Sequence, residues 1–272
     1  MTDRLWQPSA ERIAASNLVK FAACVRERRG VAVDDYAALH RWSIERPAEF
    51  WAELAHFCNV IGDFGTGPVL QHGTGLPDTP MQRARWFADA QLNFAENLLR
   101  YRDEHVAIVF VNERGERRTL SYRQLHAEVG RVAAGLVAAG VVAGDRVAAF
   151  LPNLPETVVV VPYVQTTPKL DALLTAVGAV PVIRWAEFGT PGAKLRFLRL
   201  PFAHPLYILY SSGTTGMPKC IVHGAGGTLL QHLKEHQLHS DLRRGDRLFY
   251  FTTCGWMMWN WLASGLASGA TL

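Results

Sequence analysis

Two apolar runs, Leu206-Tyr207-Ile208-Leu209-Tyr210 and Ile221-Val222, flank the stretch Ser211-Ser212-Gly213-Thr214-Thr215-Gly216-Met217-Pro218-Lys219-Cys220. No other segment constrains the fold as strongly. The first run reads as a buried strand of an α/β sheet, and ligands of such sheets sit past the carboxyl ends of strands. Glycine lets backbone N–H groups turn toward an anion without a Cβ in the way, while hydroxyls and the Lys219 ammonium add donors and positive charge. The loop therefore suits phosphate. A Gly/Ser/Thr stretch alone is commonly a solvated turn, but four hydroxyls in positions 211–215 followed by Pro218-Lys219 exceed what a turn needs. The spacing is not Gly-x-x-x-x-Gly-Lys-Ser/Thr, which disfavours a P-loop NTPase.

The segment 1–104 reads as helical and aromatic-rich. Ile13, Leu18, Phe21, Ala22 and Val25 share one helical face that ends at Gly30, and Pro47 opens a helix carrying Phe50, Leu54 and Phe57 inward. Trp6, Trp42, Trp51 and Trp86 are expected to pack these pieces together. A Gly/Pro-rich stretch from Gly62 to Pro80 reads as an ordered loop, and Leu92 to Leu99 as a further helix. The segment 105–272 reads as α/β. His105 to Val111 and Arg117 to Leu120 form a hairpin, Ser121 with Gln124 a capping box, and Leu125, Val129, Val132, Leu136 and Val137 the apolar face of a helix ending at Gly140. A strand follows from Arg146 to Leu151. Then Pro155-Glu156-Thr157 has the look of a helix start, yet the β-branched run Val158-Val159-Val160-Val161 follows directly. Parallel strands need a crossover of a dozen or more residues, so the junction Thr157–Val158 predicts an internal deletion.

Charge and cysteine pattern narrow the function. A net charge of +4 over 272 residues, with scattered arginines, gives little support for nucleic-acid binding, and the run Arg26-Glu27-Arg28-Arg29 reads as a solvated helix end. Cys24, Cys58, Cys220 and Cys254 show no Cys-x-x-Cys, so neither a disulfide scaffold nor a zinc site is indicated and a reducing cytoplasm fits. The first residues lack a signal-peptide pattern, and no run approaches a membrane span. His232-Leu233-Lys234-Glu235-His236 matches the zinc-peptidase pattern His-x-x-Glu-His, and on an α-helix His239 would share the face of His232 and His236. Leu229, Leu230 and Leu233 need the same helix to dock, so a surface or hinge-facing helix is the favoured reading and no metal ligand is assigned. Further on, Leu248 to Phe251 reads as a strand leading into Gly255-Trp256-Met257-Met258-Trp259-Asn260-Trp261, at the end of a sheet where ligand crevices open.

The loop 210–220 resembles the signature loop of the adenylate-forming superfamily, which includes acyl-CoA synthetases. Gly255 to Trp261, His223, Leu233 to His236 and Leu92 to Leu99 look like its acetoacetyl-CoA synthetase branch. The resemblance implies a partial large N-terminal domain of the adenylate-forming fold, preceded by a helical segment. It implies that Ser211, Ser212, Gly213, Thr214, Thr215, Gly216 and Lys219 hold the phosphates of ATP, with Thr214 and Lys219 nearest the chemistry, and that Trp256, Met257 and Met258 line the acyl pocket. Cys220 departs from the glycine many members carry. The implied reaction joins acetoacetate, or a similar short acid, to CoA through an acyl-adenylate, with Mg²⁺ assisting. Members continue beyond the counterpart of Leu272, so a C-terminal truncation, an unpaired sheet edge and little ligase activity are expected. A non-catalytic nucleotide-binding fragment is the alternative.

Overall fold

The computed structural model describes residues 6–72, 83–142, 145, 147, 185–211 and 216–272. The expected strand from Arg146 to Leu151 and the junction Thr157–Val158 lie outside the described residues. In chain order the elements are α1 (Ala10–Ala15), α2 (Asn17–Arg29), α3 (Tyr36–Glu45), α4 (Pro47–Phe57), β1 (Gly62–Asp63), β2 (Leu70–His72), β3 (Ala84–Trp86), β4 (Gln91–Leu92) and α5 (Phe94–Leu98). Then come β5 (Val106–Val111), β6 (Arg117–Ser121), α6 (Tyr122–Ala138), β7 (Leu200–Pro201), β8 (Pro205–Ser211), β9 (Lys219–Gly224) and α7 (Ala225–Leu233). A 3-10 turn (Trp185–Glu187) lies between α6 and β7, and a π-helical segment (Lys234–His239), α8 (Met257–Ser264) and a second 3-10 turn (Gly265–Ser268) follow α7. The chain forms two compact units, Met1–Leu98 with Leu198–Asp246, and Leu99–Phe197 with Arg247–Leu272.

In the first unit, the expected single N-terminal helix is broken. The Ser16 hydroxyl donates to the Ile13 carbonyl and accepts from the Val19 N–H, so Ser16 ends α1 and caps α2. The break shifts the helical phase, and Ile13 faces outward while Phe21 and Val25 are buried. Gly30 closes α2 at φ 65°, a left-handed conformation that costs glycine little. Pro47 opens α4 at its first turn, where a missing N–H loses no helical bond. Trp42 is buried and Trp51 meets Trp86 edge-on at 6.4 Å, but Trp6 is exposed and packs nothing together beyond lying near Arg12. The basic end of α2 is not simply solvated. Arg28 and Arg29 each donate from Nε to the buried Glu53 carboxylate of α4, at 2.7 and 2.6 Å. Burial alone would raise the Glu53 pKa; the two guanidiniums outweigh it, and the carboxyl lies below its ordinary range.

The stretch after Gly62 contains short strands. β1 pairs with β4 and β4 with β7, all antiparallel, and β2 pairs with β3. Leu92 is thus a strand residue, and the helix expected from Leu92 begins only at Phe94. Asn97 of α5 is buried and bridges both backbone groups of Ile61, accepting from its N–H and donating to its carbonyl. Past the π segment, Asp241 accepts from the Asn17 N–H and from Arg243, while Arg243 also donates to the Ala15 carbonyl. This polar clasp ties the end of the segment to the α1–α2 corner.

In the second unit, β5 and β6 form the expected hairpin. Asn112 closes its turn, accepting from the Arg114 and Glu116 N–H groups. The capping box is complete: Ser121 accepts from the Gln124 N–H and the Gln124 side chain accepts from the Ser121 N–H. Leu125 and Val132 are buried along α6, whereas Val137 is exposed, since the apolar stripe outruns the face that packs. Leu272 adds parallel pairing to β5: its N–H donates to Ala107 O and its carbonyl accepts from Val109 N–H. Arg247 bridges Thr271 in the same parallel sense. The expected strand from Leu248 to Phe251 shrinks to this bridge. Leu248 donates to Thr271 O, but Phe249 and Phe251 are exposed and lie in no strand among the described residues.

Candidate nucleotide and acyl sites

The apolar run before the signature loop does form a strand, β8, but it is not buried. It pairs antiparallel with β9, two strands making up this ribbon among the described residues, and Ile208 and Tyr210 are 37% and 69% exposed. A ribbon with one neighbour per strand leaves much of its surface open, which the apolar composition alone does not reveal. The loop closes this ribbon. Ser211 stands directly opposite Lys219 in the register, as Leu209 does to Ile221 and Tyr207 to His223. Directly opposed residues project to the same face, and alternate pairs share it. A hydroxyl and an ammonium therefore converge at the open end of the hairpin, with Lys219 exposed. Gly216 is exposed as well, and among the described residues a Cβ there would meet no atom within 4 Å, so packing does not demand glycine at that position. Ser212, Gly213, Thr214 and Thr215 lie outside the described residues.

Behind the hairpin, α7 starts without a side-chain cap because the chain itself supplies acceptors. Ala225 and Gly226 donate to the carbonyls of His204 and Phe202. A Cβ on Gly226 would run into the Phe202 ring, and that ring packs on Phe87 at 4.8 Å. Only glycine permits this approach. Tyr207 lies against His223 at 5.2 Å, and burial pushes its hydroxyl up to about 12, with the Thr228 side chain acting in the opposite sense.

His232 and His236 are 5% and 0% exposed, so the helix that carries them is a core element and not a surface one. The α-helical phase expected for His239 is also lost. From Lys234 the backbone widens to π geometry, with Ser240 N–H bonding Glu235 O, and His239 emerges exposed. Among the described residues no group of three or more His, Cys, Asp or Glu side chains is placed to hold a metal ion. The sequence reading missed the Tyr207–His223–Thr228–His232 neighbourhood. The alternation from Ser211 through Leu209 to Tyr207 carried that signal, since it puts Tyr207 on the face of the loop-closing pair.

In the second unit, Trp256 is extended and precedes α8, with its N–H bonded to Thr253 O. Trp256 and Met257 are exposed, and Met258 is half-buried. Three large polarizable side chains thus gather at one helix start. Downstream, Tyr250 meets Trp261 edge-on at 5.9 Å. None of the four cysteines forms a disulfide, and no helix among the described residues is long and apolar enough to cross a membrane.

The described residues form a mixed helix and strand architecture, with the Ser211–Lys219 pair in one unit and the aromatic start of α8 in the other. The family described as AMP-binding enzyme matches residues 94–162 and 193–272, and that described as acetyl-coenzyme A synthetase N-terminus matches 36–98. The chain belongs to the AMP-binding enzyme family. It is 42% identical to an acetoacetyl-coenzyme A synthetase of Rhizobium meliloti (strain 1021), covering 98% of this chain and 50% of the relative. It is 33% identical to a malonamoyl-CoA synthetase of Penicillium aethiopicum, covering 98% and 47%. The structure of acetoacetyl-CoA synthetase from Streptomyces lividans superimposes with a TM-score of 0.84 at 33% identity, over 98% of this chain and 50% of that one. The chain spans about half the length of the curated relatives it matches. The Rhizobium alignment runs over 332 positions, more than the 272 residues present, so it includes stretches of the relative with no counterpart here.

Proposed function

We propose that this chain carries the nucleotide-gripping part of an ATP-dependent acid–thiol ligase that forms acetoacetyl-CoA from acetoacetate, ATP and CoA. The observation that carries the reading is the opposed pair Ser211 and Lys219 at the mouth of the signature hairpin. In this reading the Ser211 hydroxyl and the Lys219 ammonium bind the β- and γ-phosphates, and the residue types of 212–216 supply further donors. As a carboxylate oxygen bonds to the α-phosphorus and the bond to the bridging oxygen breaks, negative charge grows on the departing pyrophosphate. Donors fixed at that position stabilise the change, at about 3 kcal/mol for a well-placed one. Lys219 acts as a charge and not as a proton carrier. In the second half-reaction the CoA sulfur attacks the acyl carbon and AMP leaves.

We assign Mg²⁺ to the bound nucleotide, with phosphates and water as its main ligands. Bound there, Mg²⁺ would neutralise phosphate charge. Trp256, Met257 and Met258 are assigned to the acyl chain. The relatives' names support a short acid with a carbonyl two carbons from the carboxylate, a feature common to acetoacetate and malonamate. The cytoplasm is the assigned compartment, and neither nucleic acid nor membrane is a partner.

For the chain as given, the reading predicts ATP binding with little or no turnover. Calorimetric titration with Mg·ATP tests the first part, and acetoacetate-dependent pyrophosphate exchange the second. Absence of ATP binding would remove the nucleotide assignment, and robust exchange would overturn the prediction that this chain lacks ligase activity.

A further inference from the structure

The β8–β9 hairpin is held at its base and exposed at its mouth. Alternation puts Tyr207, Leu209 and Ser211 of β8 on one face with His223, Ile221 and Lys219 of β9, and Ile208, Tyr210, Cys220 and Val222 on the other, where all four are exposed. Along the first face, protection fades toward the mouth. Tyr207 and His223 are both half-buried, the half-buried Leu209 opposes the exposed Ile221, and Ser211 opposes the exposed Lys219. The rest of the first unit grips the ribbon at its base. There the register shifts between Pro205 and Tyr207, and the Ala225 and Gly226 N–H groups bond His204 O and Phe202 O. Tyr207 stands directly above that shift. Its ring lies on His223 at 5.2 Å and 36°, and its hydroxyl is buried beside the Thr228 side chain of α7, itself buried. The phenol, pushed up to about 12, stays protonated across the neutral range and serves as a fixed body, not as an acid.

We propose that Tyr207 is a positioning residue: by fixing the base of the hairpin on α7, it sets where the Ser211 hydroxyl and the Lys219 ammonium stand, and so acts on a bound polyphosphate through them. The ligand part rests on the function proposed above; the anchoring does not. The ribbon is a lever. Four residues separate Tyr207 from Ser211, about 13 Å at about 3.3 Å per residue, so a tilt of about 10° at the base carries the mouth about 2 Å. A hydrogen bond does not survive that, since its donor–acceptor distances span only about 0.5 Å. Tyr207 therefore needs only to hold an angle. A two-stranded ribbon is marginal by itself, and a side chain seated against a helix supplies what it lacks. Leucine at 207 would keep apolar bulk but lose the flat ring on His223 and the reach to Thr228, whereas phenylalanine would keep the ring.

Backbone hydrogen exchange on the full chain without nucleotide reads the anchor. In Tyr207→Leu, protection over 219–222 should fall about tenfold while α2 keeps its protection, and Tyr207→Phe should stay within about threefold of the unaltered chain. Unchanged protection over 219–222 in Tyr207→Leu, or an equal fall in α2, would overturn the proposal. Mg·ATP affinity reads the positioning. Tyr207→Leu should weaken binding about tenfold in the unaltered chain but less than about threefold in Lys219→Ala, because a misaimed ammonium and an absent one are equivalent and only the Ser211 share is left to lose. Equal losses in the two backgrounds would overturn it. Should Tyr207→Leu not fold, the unaltered chain decides through reciprocity. Saturating Mg·ATP should raise protection at 221–223 about tenfold, and unchanged protection there would refute the coupling. The expected exchange pattern in Tyr207→Leu without ATP binding by the unaltered chain keeps the anchor and removes the nucleotide assignment.

Discussion

Two hairpins in this chain follow the same local grammar and end differently. β5–β6 and β8–β9 are both antiparallel ribbons with a register shift near the start, and each leads straight into a helix. In β5–β6 the polar groups of the turn are used within the turn, where Asn112 accepts from two N–H groups and donates to Glu116. The helix that follows is sealed by its capping box, and the Tyr122 hydroxyl at its start donates to Ala270 O in the core. In β8–β9 the closing pair is Ser211 and Lys219, the lysine is exposed, and the helix that follows has no side-chain cap. A hairpin that satisfies itself is scaffold. We read the second, whose closing pair carries an exposed lysine, as the candidate ligand site.

Substitutions can break or sharpen that contrast, each checked by thermal or urea unfolding. Leu229 is fully buried on α7, and Leu229→Ala should destabilise the first unit most, by about 3 kcal/mol through transfer and cavity terms. Gly226→Ala should come next, at about 2 kcal/mol, because its Cβ meets the Phe202 ring. Ser121→Ala removes the cap of α6 and should cost about 1 kcal/mol, an effect confined to the second unit. Lys219→Ala should be the smallest, within about 0.5 kcal/mol of the unaltered chain, since the side chain is exposed. A large loss of stability in Lys219→Ala would place the lysine in the scaffold and erase the distinction between the hairpins.

Much of this was readable from residue types that act locally. Gly30 ends α2, Pro47 opens α4, and Ser121 with Gln124 caps α6, because a φ preference, a missing N–H or a short polar side chain works within one turn of its own backbone. What failed depends on distant neighbours. The run Leu206 to Tyr210 is a strand, but its exposure depends on how many strands lie beside it. Leu248 to Phe251 has strand composition, but only Leu248 finds a ladder partner. His232 and His236 are expected on a surface or hinge-facing helix that docks through Leu229, Leu230 and Leu233, whereas packing buries both histidines along with those leucines. The π segment changes the repeat from the α-helical period the reading assumed, and so separates His239 from the other two.

The central claim is that the mouth of the β8–β9 hairpin holds a polyphosphate. Calorimetric titration of Mg·ATP into the unaltered chain and into Lys219→Ala, at pH 7.5 with folding of both verified by unfolding, tests it most directly. The account predicts saturable binding to the unaltered chain and a loss of affinity of at least about tenfold on removing the ammonium, in line with the strength of a charge-assisted hydrogen bond. Equal affinity in the two proteins would contradict it.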